Sequence, residues 1–288
     1  MLWTTSRFLI DLAHPKVMGI VNVTPDSFSD GGQNFNLSAA LGHCEQLIND
    51  GADILDIGGE STRPGAQALP LGEELARVLP LVREAVKLGV PVSVDTYKPQ
   101  VMQAVLDLGA DIINDVWALR WMNPDPAQKS LSGFQVVSSY ANCGVCLMHM
   151  HLEPRSMQLS PMTGDVIEEV LAFLALQSKA LIDLGLDRSQ LMLDPGIGFG
   201  KTVTQNLSLL ARQHELLSLG FPLMAGWSRK SSLGVVAGTP IGPLAPQARM
   251  VPSVVAAVLA VERGASVVRV HDVLETVQAL KVLSALKC

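Results

Sequence analysis

Residues 191–202 read LMLDPGIGFGKT, an apolar run that leads into three glycines, a lysine and a threonine. The outline is that of a phosphate-binding strand-to-helix turn, but the spacing is not. A Walker loop ending on Gly200-Lys201-Thr202 needs its first glycine at position 195, which is Pro195. A dinucleotide fingerprint begun at Gly196 and Gly198 needs its third glycine at position 201, which is Lys201. The segment therefore reads as a glycine-rich turn after a buried strand, with a carboxylate, Asp194, on the strand's last position. Losing the dinucleotide fingerprint weakens the open, doubly wound sheet as the fold and favours a closed barrel.

Working outward, seven further runs have the same form: VMGIVNV (17–23), ILDIGG (54–59), PVSVD (91–95), IINDV (112–116), GVCLMHM (144–150), PLMAGWS (222–228) and SVVRVHD (266–272). Near-continuous apolar runs of this length are expected of parallel strands covered on both faces. Helical patterns lie between most of them, such as LSAALGHCEQLIND, EELARVLPLVREAVKLG and NLSLLARQHELLSLG, and several end in glycine, a common helix stop. Eight strands alternating with helices, with no linker or break in composition, predict a single α/β domain, a (β/α)8 TIM barrel over residues 17–288. Residues 1–16 are read as a short N-terminal extension covering the barrel bottom, and WALRWMNPDPAQKS (117–130) as an irregular loop.

The 288 residues are 48% hydrophobic and 17% charged, enough to bury a sizeable core. A net charge of −6 without a long basic run argues against nucleic acid as a partner. No apolar segment reaches the roughly 18–20 residues that cross a bilayer, and the N-terminus lacks the apolar stretch of a signal peptide. A cytoplasmic protein is expected, with its four cysteines reduced. Cys143 and Cys146 are three apart, so in a strand they face opposite sides and make poor joint metal ligands.

In such barrels chemistry sits at the C-terminal ends of the strands. Those ends supply Asn22, Asp56, Asp95, Asn114, Met148 with His149, Asp194, Ser228 to Lys230, and Arg269 with His271. Any one of them is explained as a helix cap, whereas eight converging polar ends are much harder to explain as independent caps. Asp95, Asn114 and Asp194 suit a flat heterocycle with several N–H donors, since a carboxylate accepts two parallel bonds from an amidine-like edge. Arg229, Lys230, Arg269 and His271 place positive charge after the last two strands, where barrels often hold phosphate. Asn22 offers a neutral oxygen to a hard cation such as Mg²⁺, which takes few protein oxygens plus substrate phosphates. No serine–histidine or cysteine–histidine nucleophile stands out. His149-Met150-His151 is an H-x-H on a strand end, but only His271 among the other histidines sits at another strand end, too few for a histidine metal centre.

The segments MGIVNVTPDSFSDGG (18–32), GADILDIGGESTRPGA (51–66), SVDTYKP (93–99), INDV (113–116), CLMHM (146–150), LDPGIGFGK (193–201), SRKSSLG (228–234) and RVHDV (269–273) resemble, in order, the dihydropteroate synthase family. That resemblance implies a (β/α)8 enzyme of folate biosynthesis. Its members condense (7,8-dihydropterin-6-yl)methyl diphosphate with 4-aminobenzoate, giving 7,8-dihydropteroate and pyrophosphate. It also implies a pterin site of Asp95, Asn114, Met148, Asp194, Phe199 and Lys230. The diphosphate would be held by Asn22, Arg63, Arg269 and His271, with Mg²⁺ on Asn22. The aminobenzoate side would be Phe28, Thr62, Arg63, Pro64 and Ser231, on loops after the first, second and seventh strands. Asp95, Lys230, Arg269 and His271 would carry catalysis, in an SN1-like displacement with no strong general base. A homodimer and sensitivity to sulfonamides are implied as well. Lys201 is then read as the solvated start of a helix and Thr202 as near its cap. Departures from the family pattern are Ile197 for phenylalanine, His151 for glutamine, and a bulky Trp227. The alternatives are a pterin-binding homologue without synthase activity and a methyltetrahydrofolate-dependent methyltransferase barrel, which would need neither S-T-R-P nor S-R-K-S.

Overall fold

A computed structural model describes residues 1–23, 33–61, 65–123, 131–153, 156–157 and 159–286. Eight parallel strands close into a barrel in chain order: β3 (Lys16–Asn22), β4 (Ile54–Gly58), β5 (Val92–Asp95), β6 (Ile112–Asp115), β7 (Gly144–Met148), β8 (Leu191–Asp194), β9 (Leu223–Ala225) and β10 (Ala265–Val270), the last pairing with β3. Each falls within or within one residue of the run read from the sequence. The connecting helices are α1 (Gln33–Asn49), α2 (Leu71–Ala85), α3 (Pro99–Asp107), α4 (Gly133–Ser138), α5 (Val166–Asp183), α6 (Val203–Ala211), α7 (Ser231–Val236) and α8 (Met250–Glu262), with α9 (Val273–Ala285) after β10.

Strand residues two apart share a face, and this alternation builds the molecule. One set, including Leu55, Val94, Ile113, Leu147, Leu193 and Val268, is buried beneath the helices in the main core. The other set faces the barrel axis, where Met18, Ile54, Ile112, Cys146, Met192, Met224 and Val267 form a separate apolar cluster. Two residues further along those strands, on the same face, stand Asp56, Asn114, Met148, Asp194 and Arg269. The interior is thus apolar at the strand starts and polar at the strand ends.

Below the apolar cluster lies a two-stranded antiparallel hairpin, β1 (Leu2–Thr4) and β2 (Leu9–Asp11). Its Trp3, Ile10 and Leu12 join the inward residues, and the fully buried Trp3 donates from Nε1 to the Gln190 carbonyl at 2.9 Å. Arg7 fastens the hairpin to Asp111 with bonds of 2.9 Å from Nε and 2.6 Å from Nη2. The pattern read as one helix over 206–220 is divided: α6 ends at Ala211 and a 3-10 helix follows over Gln213–Leu219. The break turns Gln213 inward, where its side-chain amide donates to the Ala260 carbonyl at 2.8 Å. No helix of the described residues is long and apolar enough to cross a membrane.

Candidate active site

The polar ring at the strand ends is organised around Arg269. From β10 its Nε donates to Asp56 Oδ2 on β4 at 2.5 Å, and its Nη2 donates to Asp95 Oδ2 on β5 at 2.8 Å. Asp56 is fully buried and also accepts from Ser93 Oγ at 2.6 Å and from Asn114 Nδ2 at 3.3 Å. Asp56, which the sequence offered without a role, is therefore the anchor that orients both the guanidinium and the Asn114 amide. Burial pushes the Asp95 carboxyl up to about 7, with the charge of Arg269 opposing the rise and that of Asp56 adding to it.

Across the barrel, Asp194 accepts from the Gly196 amide through Oδ1 at 2.7 Å, and burial raises its pKa. Lys230 extends over the face of Phe199, with Nζ 4.2 Å from the ring centroid. Burial lowers the Lys230 pKa to about 8, against the pull of Asp194. Met148 and Phe199 share an apolar cluster with Tyr97, Val116, Met150 and Met157, flanked by Trp117 and Trp121. Of the expected pterin residues, Asp95 and Asn114 are linked through Arg269 and Asp56, Lys230 lies against Phe199 and in the field of Asp194 and Asp95, and Phe199 shares its apolar cluster with Met148.

His271 lies just past β10, where its Nδ1 is 2.9 Å from Ser228 Oγ, and its own amide donates to the same oxygen at 3.1 Å. Arg229 is turned away into a pair with Asp272, at 2.6 Å from Nη2 to Oδ1. Asn22 ends β3 half-buried, and Ser231 opens α7 exposed to solvent. Phe28, Thr62, Arg63 and Pro64 lie outside the described residues. Among the described residues no group of three or more His, Cys, Asp or Glu is placed to hold a metal ion.

Lys201 corrects its sequence reading. It is 3% exposed, not solvated, and burial lowers its pKa to about 7. Nζ lies 2.8 Å from His149 Nδ1 and donates to the carbonyls of Gly196 at 2.9 Å and Phe199 at 3.2 Å. Burial, and then the charge of Lys201, depress the His149 pKa to about 2, so this imidazole is neutral. Thr202 caps α6 as expected, accepting from the Gln205 amide at 3.2 Å. A second feature missed in the sequence is Lys98, just before α3, buried between Glu60 after β4 and Glu74 on α2. Its only sequence signal was a charged residue three places beyond the strand-end Asp95. Ile197 and Trp227 belong to the main core, so two of the three departures from the family pattern are packing changes.

A closed barrel whose strand ends carry the buried carboxylates of Asp56, Asp95 and Asp194, an amide, a lysine and an aromatic side chain defines an enzyme that seats a flat, nitrogen-rich heterocycle. The family model described as "Pterin binding enzyme" matches residues 18–271. A dihydropteroate synthase of Neisseria meningitidis serogroup C is 46% identical over 288 residues, covering 99% of this chain and 97% of the relative. The crystal structure of Burkholderia cenocepacia dihydropteroate synthase complexed with 7,8-dihydropteroate is 45% identical with a TM-score of 0.84, covering 99% of this chain and 96% of the other. The Yersinia pestis dihydropteroate synthase in a sulfonamide drug complex is 40% identical with a TM-score of 0.89, covering 100% and 99%. The chain belongs to the dihydropteroate synthase family.

Proposed function

We propose that the protein transfers the pterin-methyl group of (7,8-dihydropterin-6-yl)methyl diphosphate to 4-aminobenzoate, giving 7,8-dihydropteroate and pyrophosphate. The observation that supports this reading is the gathering of Asp95, Asn114, Asp194 and Lys230 at the barrel's strand ends, with Lys230 against Phe199 and Phe199 in one apolar cluster with Met148. Ionised Asp95 and Asp194 accept N–H bonds from the pterin edge, and Asn114, held by Asp56, fixes the ring's register. Lys230 supplies a donor on the opposite side.

In the displacement the bond between the pterin methylene carbon and the diphosphate oxygen breaks, and its electron pair leaves with the diphosphate. Arg269 and His271, at the mouth of β10, place a guanidinium charge and an imidazole where that negative charge develops, a pre-organised electrostatic contribution. The pterin ring delocalises the cationic character of the methylene, favoured by the Asp95 carboxylate. The neutral arylamine nitrogen then forms the new bond and releases its proton to solvent, so no strong base is required. Asn22 fits a Mg²⁺ site in its chemistry: it is a half-buried oxygen donor at a barrel strand end, to which substrate phosphate oxygens would add. Bound there, the cation would neutralise diphosphate charge.

Arg63, Thr62, Pro64, Phe28 and Ser231 are assigned to the diphosphate and aminobenzoate side by family likeness, and sulfonamides are expected to compete with 4-aminobenzoate. A cytoplasmic homodimer completes the reading. The homodimer is supported by exposed apolar residues on two neighbouring helices, Val235 and Val236 on α7 and Val251 and Val255, one turn apart, on α8. The deciding assay measures pyrophosphate release with Mg²⁺ and both substrates. Release that requires the arylamine and yields dihydropteroate establishes the activity, whereas pterin binding without release points to an inactive homologue.

A further inference from the structure

The loop between β8 and α6 carries Phe199, whose amide donates back to the Gly196 carbonyl at 3.1 Å. Gly196, Gly198 and Gly200 all take left-handed backbone, with φ of 70°, 84° and 70°. That conformation is open to glycine at low cost, and the same freedom must be lost when the loop is ordered. Besides the backbone bond from the Met162 amide to the Gly200 carbonyl at 2.9 Å, two buried side chains hold it, Lys201 at the end of the loop and Asn206 in the first turns of α6. Lys201 gathers the Gly196 and Phe199 carbonyls from the loop itself, and from the end of β7 it takes His149 Nδ1 at 2.8 Å and the His149 carbonyl at 3.4 Å. Asn206, 1% exposed, accepts from the Gly198 amide through Oδ1 at 2.8 Å. Its Nδ2 donates to Ser232 Oγ at 3.0 Å and to the Thr202 carbonyl at 2.9 Å.

The loop is therefore tied on one side to β7, which supplies Met148, and on the other to α7, which begins one residue after Lys230. The closeness is steric as well: a Cβ added at Gly198 would meet Lys230 Cδ at 3.3 Å. Lys201 is paired with carbonyl dipoles and an imidazole, and no carboxylate lies within salt-bridge distance of it among the described ion pairs. An apolar residue would fill the same space without the desolvation of a charge. A lysine here is explained by what it aims, and what it aims is the loop.

We propose that Lys201 and Asn206 are positioning residues that hold the glycine-rich loop so that Phe199 and Lys230 form one wall of the pterin pocket. Neither touches substrate. The proposal rests on the reading of this pocket as the pterin site. Buried carbonyls and amides need partners. Removing either side chain releases loop groups from theirs and lets Phe199 drift from Lys230.

The test compares the wild-type protein with Lys201→Met, Asn206→Ala and the double variant. KM for the pterin diphosphate, KM for 4-aminobenzoate, kcat, and hydrogen exchange of the amides at 196–200 are measured on each. The expected result is a KM for the pterin diphosphate raised about tenfold or more, a KM for 4-aminobenzoate within about twofold of wild type, and faster exchange confined to the loop. The double variant should lose less than the product of the single losses, because both residues fix one element. Unchanged pterin KM and unchanged exchange overturn the proposal. So does an equal loss in every kinetic constant accompanied by a lowered melting temperature, the signature of a merely structural role. Asn206→Ser carries the same comparison if Lys201→Met does not fold. A wild-type protein with no arylamine-dependent pyrophosphate release defeats the functional reading instead, and the exchange measurement then still tests the clasp.

Discussion

At the scale of single residues, the site is a set of charges kept out of water. Asp95 must be ionised to accept two N–H bonds from a pterin, yet burial holds its carboxyl at about 7 even beside Arg269. The kcat/KM for the pterin diphosphate should therefore rise with pH through about 7, and Lys230, at about 8, should end the plateau on the basic side as its charge is lost. Asp95→Asn should change the acid limb, leaving the part that the raised Asp194 contributes, and lower kcat/KM roughly 10- to 100-fold, the equivalent of about one charge-assisted hydrogen bond. A pH–rate series on both proteins checks this. Lys201 gives a second test, on stability. The unfolded chain keeps a lysine proton to about pH 10, whereas the folded chain releases it near 7. Between those values the unfolded state binds more protons, so the buried lysine costs most below about pH 7 and progressively less above it. Asp194 and Lys230 face the same group and are present in both proteins being compared, so their effects largely cancel. The melting temperature of Lys201→Met relative to wild type should be highest near pH 6 and fall as pH rises towards 9. A pH-independent difference would contradict the assignment.

At the scale of elements, the strands were legible because burial on both faces leaves an unbroken apolar run, and their polar last residues were legible because chemistry gathers at one barrel end. The glycine stops before strands were equally readable: Gly51, Gly109 and Gly264 have φ of 101°, 94° and 94°, as helix-ending glycines require. Three-residue strands such as β1 and β2 carry too little periodicity to be found. Lys201 and Lys98 were missed for a physical reason: a lone lysine in a loop just before a helix reads as solvated, and only the tertiary fold reveals carbonyls or carboxylates waiting for it. The loop after β8 shows how tightly an element can be specified. A Cβ at Gly196 would sit 1.8 Å from the His149 carbonyl oxygen, at a left-handed φ of 70°. Gly196→Ala should therefore lower stability by more than the ~1–2 kcal/mol of left-handed strain alone, and should raise the KM for the pterin diphosphate because the backbone must move. Thermal melting with steady-state kinetics on the variant checks both.

At the scale of the whole molecule, the barrel divides into an apolar end that sustains the fold and a polar end that binds. Trp3 lies at the apolar end and is fully buried against the inward residues. Trp3→Ala should cost about 3–5 kcal/mol, seen as a marked fall in melting temperature, with substrate KM values unchanged at temperatures where the variant stays folded. Changed KM values in a fully folded Trp3→Ala protein would show that the two ends are coupled.

The bond from Trp3 to Gln190 spans 187 positions of the chain. Ribosomes make proteins from the N-terminus at about 5–20 residues per second, so the hairpin emerges before Gln190 and waits roughly ten to forty seconds for its seat. The ring it seals is not complete until β10 pairs with β3. During synthesis the nascent chain carries an indole with nowhere to go, together with an open sheet edge. Molecular chaperones have their window in that interval, and slow codons placed late in the message would lengthen it.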